Sequence, residues 1–133
     1  MNVTREATTV TVDTVDDVLV VGFARLDLEG VPEEYLILQR SLDPDEDEPG
    51  IAGVYVERDD QGSSGYGGIV QFVLHRDQVL LELDEQIGRA LGGADAWRRV
   101  TIRFAVDDSA FESLRSALVR VFADCGCFVD RSS

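Results

Sequence analysis

The side chains that could support catalysis or metal binding are few and scattered. His75 is the only histidine, and neither an acid nor a nucleophile stands beside it in a recognisable order. Cys125 and Cys127 offer two soft ligands, whereas a structural zinc site needs four. Adjacent acids such as Asp16 and Asp17 would point to opposite faces of a strand and would form no carboxylate dyad. We therefore predict no catalytic residue, no cofactor site, no metal site and no enzymatic activity.

Acidic residues are concentrated in one part of the chain. Residues 31–60 carry two basic and ten acidic side chains, a net charge of -8, and the whole chain carries -14. The run from Asp43 to Glu48 superficially resembles a calcium loop. Glu48, however, occupies the position where an EF-hand has glycine, and Val54 occupies the position of its last glutamate. We therefore interpret this run as a solvated loop.

A second unusual stretch combines acids with glycine, serine and tyrosine between Asp59 and Gly68. No Gly-Lys-Ser/Thr follows these glycines, so they do not match a phosphate-binding loop. We predict a flexible hairpin loop that exposes Tyr66, because glycine and serine supply adaptability and tyrosine supplies contact area. Whether the two acidic segments share one surface is left open by the sequence. The candidate partner-binding residues are Asp43, Asp45, Glu46, Asp47, Glu48, Tyr55, Glu57, Asp59, Asp60 and Tyr66.

The overall charge excludes several classes of partner. A chain of net charge -14 lacks the basic surface that DNA, RNA and anionic membranes attract. No apolar run approaches the roughly 20 residues of a membrane helix, and the N-terminal residues lack the apolar segment of a signal peptide. Cys125 and Cys127 are expected to be free thiols, because a bridge between cysteines one residue apart is strained. These features predict a cytoplasmic protein.

Alternation of apolar and polar residues predicts a strand-rich domain. Gly22, inside one of the longer apolar runs, indicates a bulge or a close backbone approach. Arg76 and Asp77 form a link that is short enough for a tight hairpin. The predicted strands cover residues 7–13, 17–27, 34–40, 52–58, 67–75, 78–83 and 98–106.

Two helices interrupt these strands. The shorter covers about 84–91, with Asp84 as its expected N-cap. The longer covers about 110–123, where Ser109 and Glu112 fit a capping box and apolar residues recur at helical spacing.

Strands and helices without regular βα alternation predict an α+β fold with a mainly antiparallel sheet of about six to seven strands. A chain of 133 residues can bury roughly two thirds of its extended-chain surface, so a core needs no metal or disulfide. We expect a single domain over residues 1–133, with less ordered ends at 1–6 and 124–133.

The order of several motifs is informative. Leu38-Gln39-Arg40 precedes the acidic insertion, and Tyr66-Gly67-Gly68-Ile69 follows it. Together with Leu74-His75-Arg76 and Ile102-Arg103-Phe104, these motifs resemble the immunity protein 10 family of bacterial polymorphic toxin systems over about residues 15–123. The resemblance implies a small cytoplasmic antitoxin that binds and neutralises a toxin encoded beside it, and it implies no catalytic residues.

Charge and resemblance lead to one functional hypothesis. We expect a non-enzymatic immunity protein that binds a cognate toxin domain through an acidic surface, with Tyr55 or Tyr66 as aromatic anchors. A basic toxin such as a nuclease would be attracted to that surface. The alternative is a small acidic sensor or scaffold domain that self-associates through a sheet edge, and a homodimer is compatible with both hypotheses.

Overall fold

A computed structural model describes residues 2–41, 54–123 and 126–132, and for Asp60 and Gln61 it describes the backbone alone. The described chain forms two five-stranded sheets and two helices around a shared core. The fold is α+β with mainly antiparallel pairing, as the sequence predicts. The elements are β1 (Asn2–Glu6), β2 (Thr9–Val15), β3 (Val18–Leu26), β4 (Pro32–Ser41), β5 (Tyr55–Arg58), β6 (Asp60–Tyr66), β7 (Ile69–Leu74), β8 (Gln78–Leu83), α1 (Glu85–Gly92), β9 (Arg99–Arg103), α2 (Asp108–Val121) and β10 (Phe128–Asp130). Sheet A has the order β1-β9-β8-β7-β10, and sheet B has the order β2-β3-β4-β5-β6.

The chain first passes from one sheet to the other between β1 and β2. The Ala7 amide donates to the Arg103 carbonyl in sheet A, and the next amide, of Thr8, donates to the Ala24 carbonyl in sheet B. Two consecutive residues thus form their backbone hydrogen bonds with different sheets. Ala7 and Thr8, between β1 and β2, therefore form a corner at which the chain changes sheet.

The second passage lies between β6 and β7, at Gly67 and Gly68. The Gly67 amide donates to the Val54 carbonyl of sheet B, and the Gly68 carbonyl accepts the Asp84 amide beside sheet A. Both glycines have positive φ, and a Cβ on Gly68 would lie 2.6 Å from side-chain atoms of Ile87. The Tyr-Gly-Gly-Ile motif is therefore a sheet corner where only glycine combines this backbone with this packing.

Both sheets and both helices contribute to a single buried cluster. Phe72 of sheet A packs against Phe122 at the end of α2, with ring centroids 4.9 Å apart. Burying one such large apolar side chain stabilises the fold by about 2–3 kcal/mol. The largest fully buried side chains are Leu19, Val21, Leu36, Leu38, Val56, Phe72, Leu74, Leu83, Leu91, Ile102, Leu114 and Leu118.

Both helices begin at an aspartate. The Asp84 carboxylate accepts the Ile87 amide at 2.9 Å, which confirms the predicted N-cap of α1. The predicted cap of α2 is wrong, because Asp107 rather than Ser109 is the N-cap and its carboxylate accepts the Ala110 amide at 2.8 Å. Aspartate caps as well as serine, so the helix begins at the earlier of two competent residues.

β1 pairs in parallel with β9, and β10 pairs in parallel with β7.

Two further parts of the chain differ from their predictions. The stretch after Asp59, expected to be a flexible loop, forms β6 instead, because its backbone pairs with β5 and so overrides the weak strand preference of glycine and serine. The expectation of free thiols is wrong for Cys127, which is disulfide-bonded. A short spacing makes such bonds uncommon without excluding them.

The turn between β2 and β3 carries avoidable strain. Asp16 and Asp17 both have positive φ, as a two-residue type I′ hairpin requires, although glycine or asparagine suits these positions better. Asp17→Gly is expected to stabilise the protein by about 0.5–1 kcal/mol, measured by urea unfolding. Asp77→Gly is the matched control, since Asp77 occupies the β7–β8 turn without positive φ and should gain nothing. A lower unfolding midpoint for Asp17→Gly would contradict this explanation.

Candidate functional site

The outer face of sheet B carries all three tyrosines of the chain. Because Leu36, Leu38 and Val56 point into the core, their neighbours along β4 and β5 point outward. Tyr66 is 51% exposed there. We call this surface the tyrosine face, and its residues are Tyr35, Tyr55, Glu57, Ser64 and Tyr66.

A buried carboxylate lies at the centre of the tyrosine face. Glu57 is 7% exposed, and its two oxygens accept hydrogen bonds from the hydroxyls of Tyr35 and Tyr55, both at 2.6 Å. Burial raises the pKa of Tyr55, and the hydrogen bond that this hydroxyl donates to Glu57 raises it further. Two neutral phenols therefore surround an acid to which no arginine is ion-paired within the described part of the chain.

Tyr66 extends this arrangement toward the edge of the sheet. Tyr55 and Tyr66 are cross-strand partners, and their ring centroids are 5.1 Å apart at an interplanar angle of 55°. Such tilted pairs are favourable and hold both rings in fixed orientations. A groove of about 170 Å³ opens beside Tyr66, between β6 and α1, and is lined by Ser64, Gly65, Tyr66, Gly68, Asp84, Gln86, Ile87 and Ala90.

One end of sheet B carries the Tyr55–Tyr66 pair. Because Gln39 pairs with Tyr55, β4 ends and β5 begins at this end of the sheet. Val18 pairs with Ser41, which places the β2–β3 turn at the same end. Five candidate residues, Asp43, Asp45, Glu46, Asp47 and Glu48, lie outside the described residues.

Asp59 lies at the opposite end of sheet B, and both oxygens of its carboxylate accept hydrogen bonds. Its carboxylate accepts two hydrogen bonds from Arg5, at 2.8 and 2.9 Å, a third from Arg58 and a fourth from the Tyr35 amide. Burial alone would raise the pKa of Asp59, but these four hydrogen bonds outweigh it and hold the pKa well below its usual value. The structure thus ties β1 of sheet A to sheet B through this aspartate. Asp60 follows it in β6, and its side chain is outside the described set.

Trp97, an aromatic residue that no sequence motif marks, belongs to the same cluster as Asp59. The guanidinium groups of Arg5 and Arg58 lie 4.9 and 4.8 Å from the ring centroid of Trp97, and Asp59 joins the two cations. Arg58 also donates to the Leu91 carbonyl at the end of α1. These residues are far apart in sequence, so no local motif could have identified the cluster.

The outer face of sheet A differs in its charge balance. Arg103 stands opposite Glu6, and Arg99 stands opposite Glu82, so each outward cation there has an acid as its cross-strand neighbour. On the outer face of sheet B, the acids have uncharged neighbours, with Val20 opposite Asp13, and Ile37 and Ser64 beside Glu57. Among the described strand residues, the outer face of sheet B therefore lacks the arginine–acid pairs found on the outer face of sheet A.

The remaining chemical candidates are not assembled into a site. The His75 amide closes the tight β7–β8 hairpin by donating to the Gln78 carbonyl, which confirms the predicted hairpin. Among the described residues, no three histidine, cysteine, aspartate or glutamate side chains cluster as a metal site would require. No helix in the described ranges is long and apolar enough to span a membrane.

Comparison with known proteins gives one result that covers most of the chain. The family model described as Immunity protein 10 matches residues 5–112, which include the end of β1, all of β2 to β9 and the start of α2. No curated protein matches the sequence. The matched range includes the whole tyrosine face and both sheet corners. A match of this extent establishes that the chain belongs to the Immunity protein 10 family.

Proposed function

We propose that this protein protects the cell that makes it by binding a cognate toxin domain in the cytoplasm and blocking it without catalysing a reaction. The observation that carries the proposal is the family match over residues 5–112. An inhibitor of this kind needs a contact surface rather than an active site. The tyrosine face supplies one on rigid strands.

The tyrosine face has the composition of a protein-binding surface. Tyrosine is enriched at the energetic centres of interfaces, since it buries a large area with few rotatable bonds. Tyr66 is half-exposed and Tyr55 supports it from the neighbouring strand, so both are suited to anchor a partner. Asp59 contributes little direct contact, because two arginines already satisfy its carboxylate.

Charge favours a basic toxin, such as a nuclease, as the partner. The chain carries -14, and its acidic run, residues 43–48, stands in the sequence between β4 and β5, the two strands that carry Tyr35, Tyr55 and Glu57. A field of this kind steers a cationic protein toward the acidic surface and raises the association rate, and added salt weakens the effect. The contributing acids are Asp43, Asp45, Glu46, Asp47, Glu48 and Asp60. The same charge on a second copy opposes self-association of this chain.

Co-expression tests the function directly. The C-terminal toxin domain encoded by the adjacent gene would be induced in a host with or without this protein. We expect growth arrest by the toxin domain alone and restored growth when the immunity protein is present, because binding removes free toxin. Continued arrest, with a folded immunity protein at equal or higher abundance, would reject the proposal.

A further inference from the structure

We propose that Glu57, together with the tilted ring pair of Tyr55 and Tyr66, is the receptor for one arginine side chain of the toxin domain. This inference rests on the proposed function and names the chemistry of the contact. The tyrosine face thereby acquires a specific occupant, a guanidinium group, in addition to general contact area.

The first argument is the state of Glu57. Buried carboxylates in proteins are normally paired with a cation, because a charge removed from water is costly unless it is compensated. Among the described residues, Glu57 accepts hydrogen bonds from two phenol hydroxyls, and each of its oxygens keeps a further lone pair for another donor. A cation from a partner would complete this incomplete site.

The second argument is that the protein already binds guanidinium groups in this way. Within its own fold, Arg5 and Arg58 stack on Trp97 while Asp59 supplies the anion. The tyrosine face presents the same two components, an aromatic surface and a carboxylate, without the cation. A planar guanidinium can stack on a ring and donate to a carboxylate at once, which a lysine ammonium does less well.

The third argument is the surrounding charge. On the outer face of sheet A, each outward arginine has an acid opposite, whereas Glu57 has Ile37 and Ser64 as its cross-strand neighbours. No cation of this chain therefore competes for Glu57 among the described residues. The aromatic rings also exclude water, which strengthens the attraction between Glu57 and an incoming cation.

The test compares two variants that each remove one negative charge. Glu57→Gln neutralises the receptor, and Glu82→Gln neutralises a glutamate on the outer face of sheet A. Affinity for the adjacent gene's toxin domain would be measured by calorimetry with the full-length proteins at one ionic strength. We expect Glu57→Gln to raise the dissociation constant at least about 30-fold. We expect Glu82→Gln to change it by less than about threefold, because loss of long-range attraction alone has a small effect.

The outcomes separate this inference from the function on which it rests. If the unaltered protein does not bind the toxin domain, the proposed function fails. If the unaltered protein binds and a folded Glu57→Gln variant binds within about threefold of it, the function stands and the arginine receptor is overturned.

A second variant covers the case in which Glu57→Gln does not fold. Tyr66→Ala removes a half-exposed ring and should leave the fold intact while weakening binding at least about tenfold. Unchanged affinity of Tyr66→Ala would overturn the receptor. An arginine-to-alanine scan of the toxin domain should then find one arginine whose replacement does not weaken the affinity further once Tyr66→Ala is present. Full additivity at every toxin arginine would also overturn it.

Discussion

Replacing Asp59 with asparagine is expected to lower the free energy of unfolding by about 2–3 kcal/mol at neutral pH. Asparagine keeps the shape of the side chain and tolerates the positive φ of this residue, so the substitution removes mainly the charge. It leaves the mostly buried guanidinium of Arg5 without its anion and removes the ion pair that holds β1 against sheet B. Urea unfolding of the two proteins measures the difference.

The pH dependence of that difference identifies its cause. The pKa of Asp59 is lower in the folded protein than in the unfolded chain, where it is about 4. Its contribution to stability is therefore present above about pH 4 and is lost as the pH falls from there toward the folded-state pKa. The difference in free energy of unfolding between the unaltered protein and Asp59→Asn should therefore become smaller as the pH falls below about 4. Glu29→Gln, at an exposed turn, serves as the control and should alter stability little at either pH. If the difference in free energy of unfolding caused by Asp59→Asn stays the same from neutral to acidic pH, the ion pair is not its source.

Replacing Gly88 with alanine is expected to destabilise the protein by about 2 kcal/mol or more, against the usual effect of this change in a helix. Alanine in a helix is normally favoured over glycine by about 1 kcal/mol. Here an added Cβ would lie 2.1 Å from the Trp97 carbonyl oxygen, which is backbone and cannot move aside alone. Steric repulsion therefore outweighs propensity, and α1 must shift away from the Trp97 segment.

Thermal and urea unfolding measure the effect of Gly88→Ala. Gly126→Ala is the control, because a Cβ there meets nothing within 4 Å, and its stability should be nearly unchanged. A Gly88→Ala protein more stable than its parent would mean that helix propensity dominates and that the close packing of α1 on Trp97 matters little.

Much of the fold could be predicted because it depends on local patterns. Strand alternation located the centres of β2, β3, β4, β7, β8 and β9, and Asp84 marked the start of α1. The division into two sheets could not be predicted in this way. It depends on single residues such as Thr8 and Gly68, where the backbone changes its hydrogen-bonding partner, and residue type does not record that change.

Three of the five residues of the tyrosine face are candidates by sequence, whereas Tyr35, Ser64 and the contacts within the face are not predictable from local patterns. Tyr55, Tyr66 and Glu57 were identified by type, but their contacts depend on the register between β5 and β6 and on Tyr35 from β4. The stretch before Tyr66 became a strand because long-range pairing overrode its local preference for a turn. Asp59 is a candidate contact residue by its charge, yet in the structure its carboxylate is ion-paired with Arg5 and Arg58.

The proposed surface can be examined by chemical modification of tyrosine, because all three tyrosines lie on the tyrosine face. Nitration followed by peptide mass spectrometry reports the accessibility of each ring, with the free protein and its complex with the adjacent gene's toxin domain compared side by side. Tyr66, 51% exposed, should be modified most readily in the free protein. If the toxin binds as we propose, nitration of Tyr66 should be strongly suppressed in the complex. Equal nitration of Tyr66 in the free protein and in a saturated complex would contradict binding at this face.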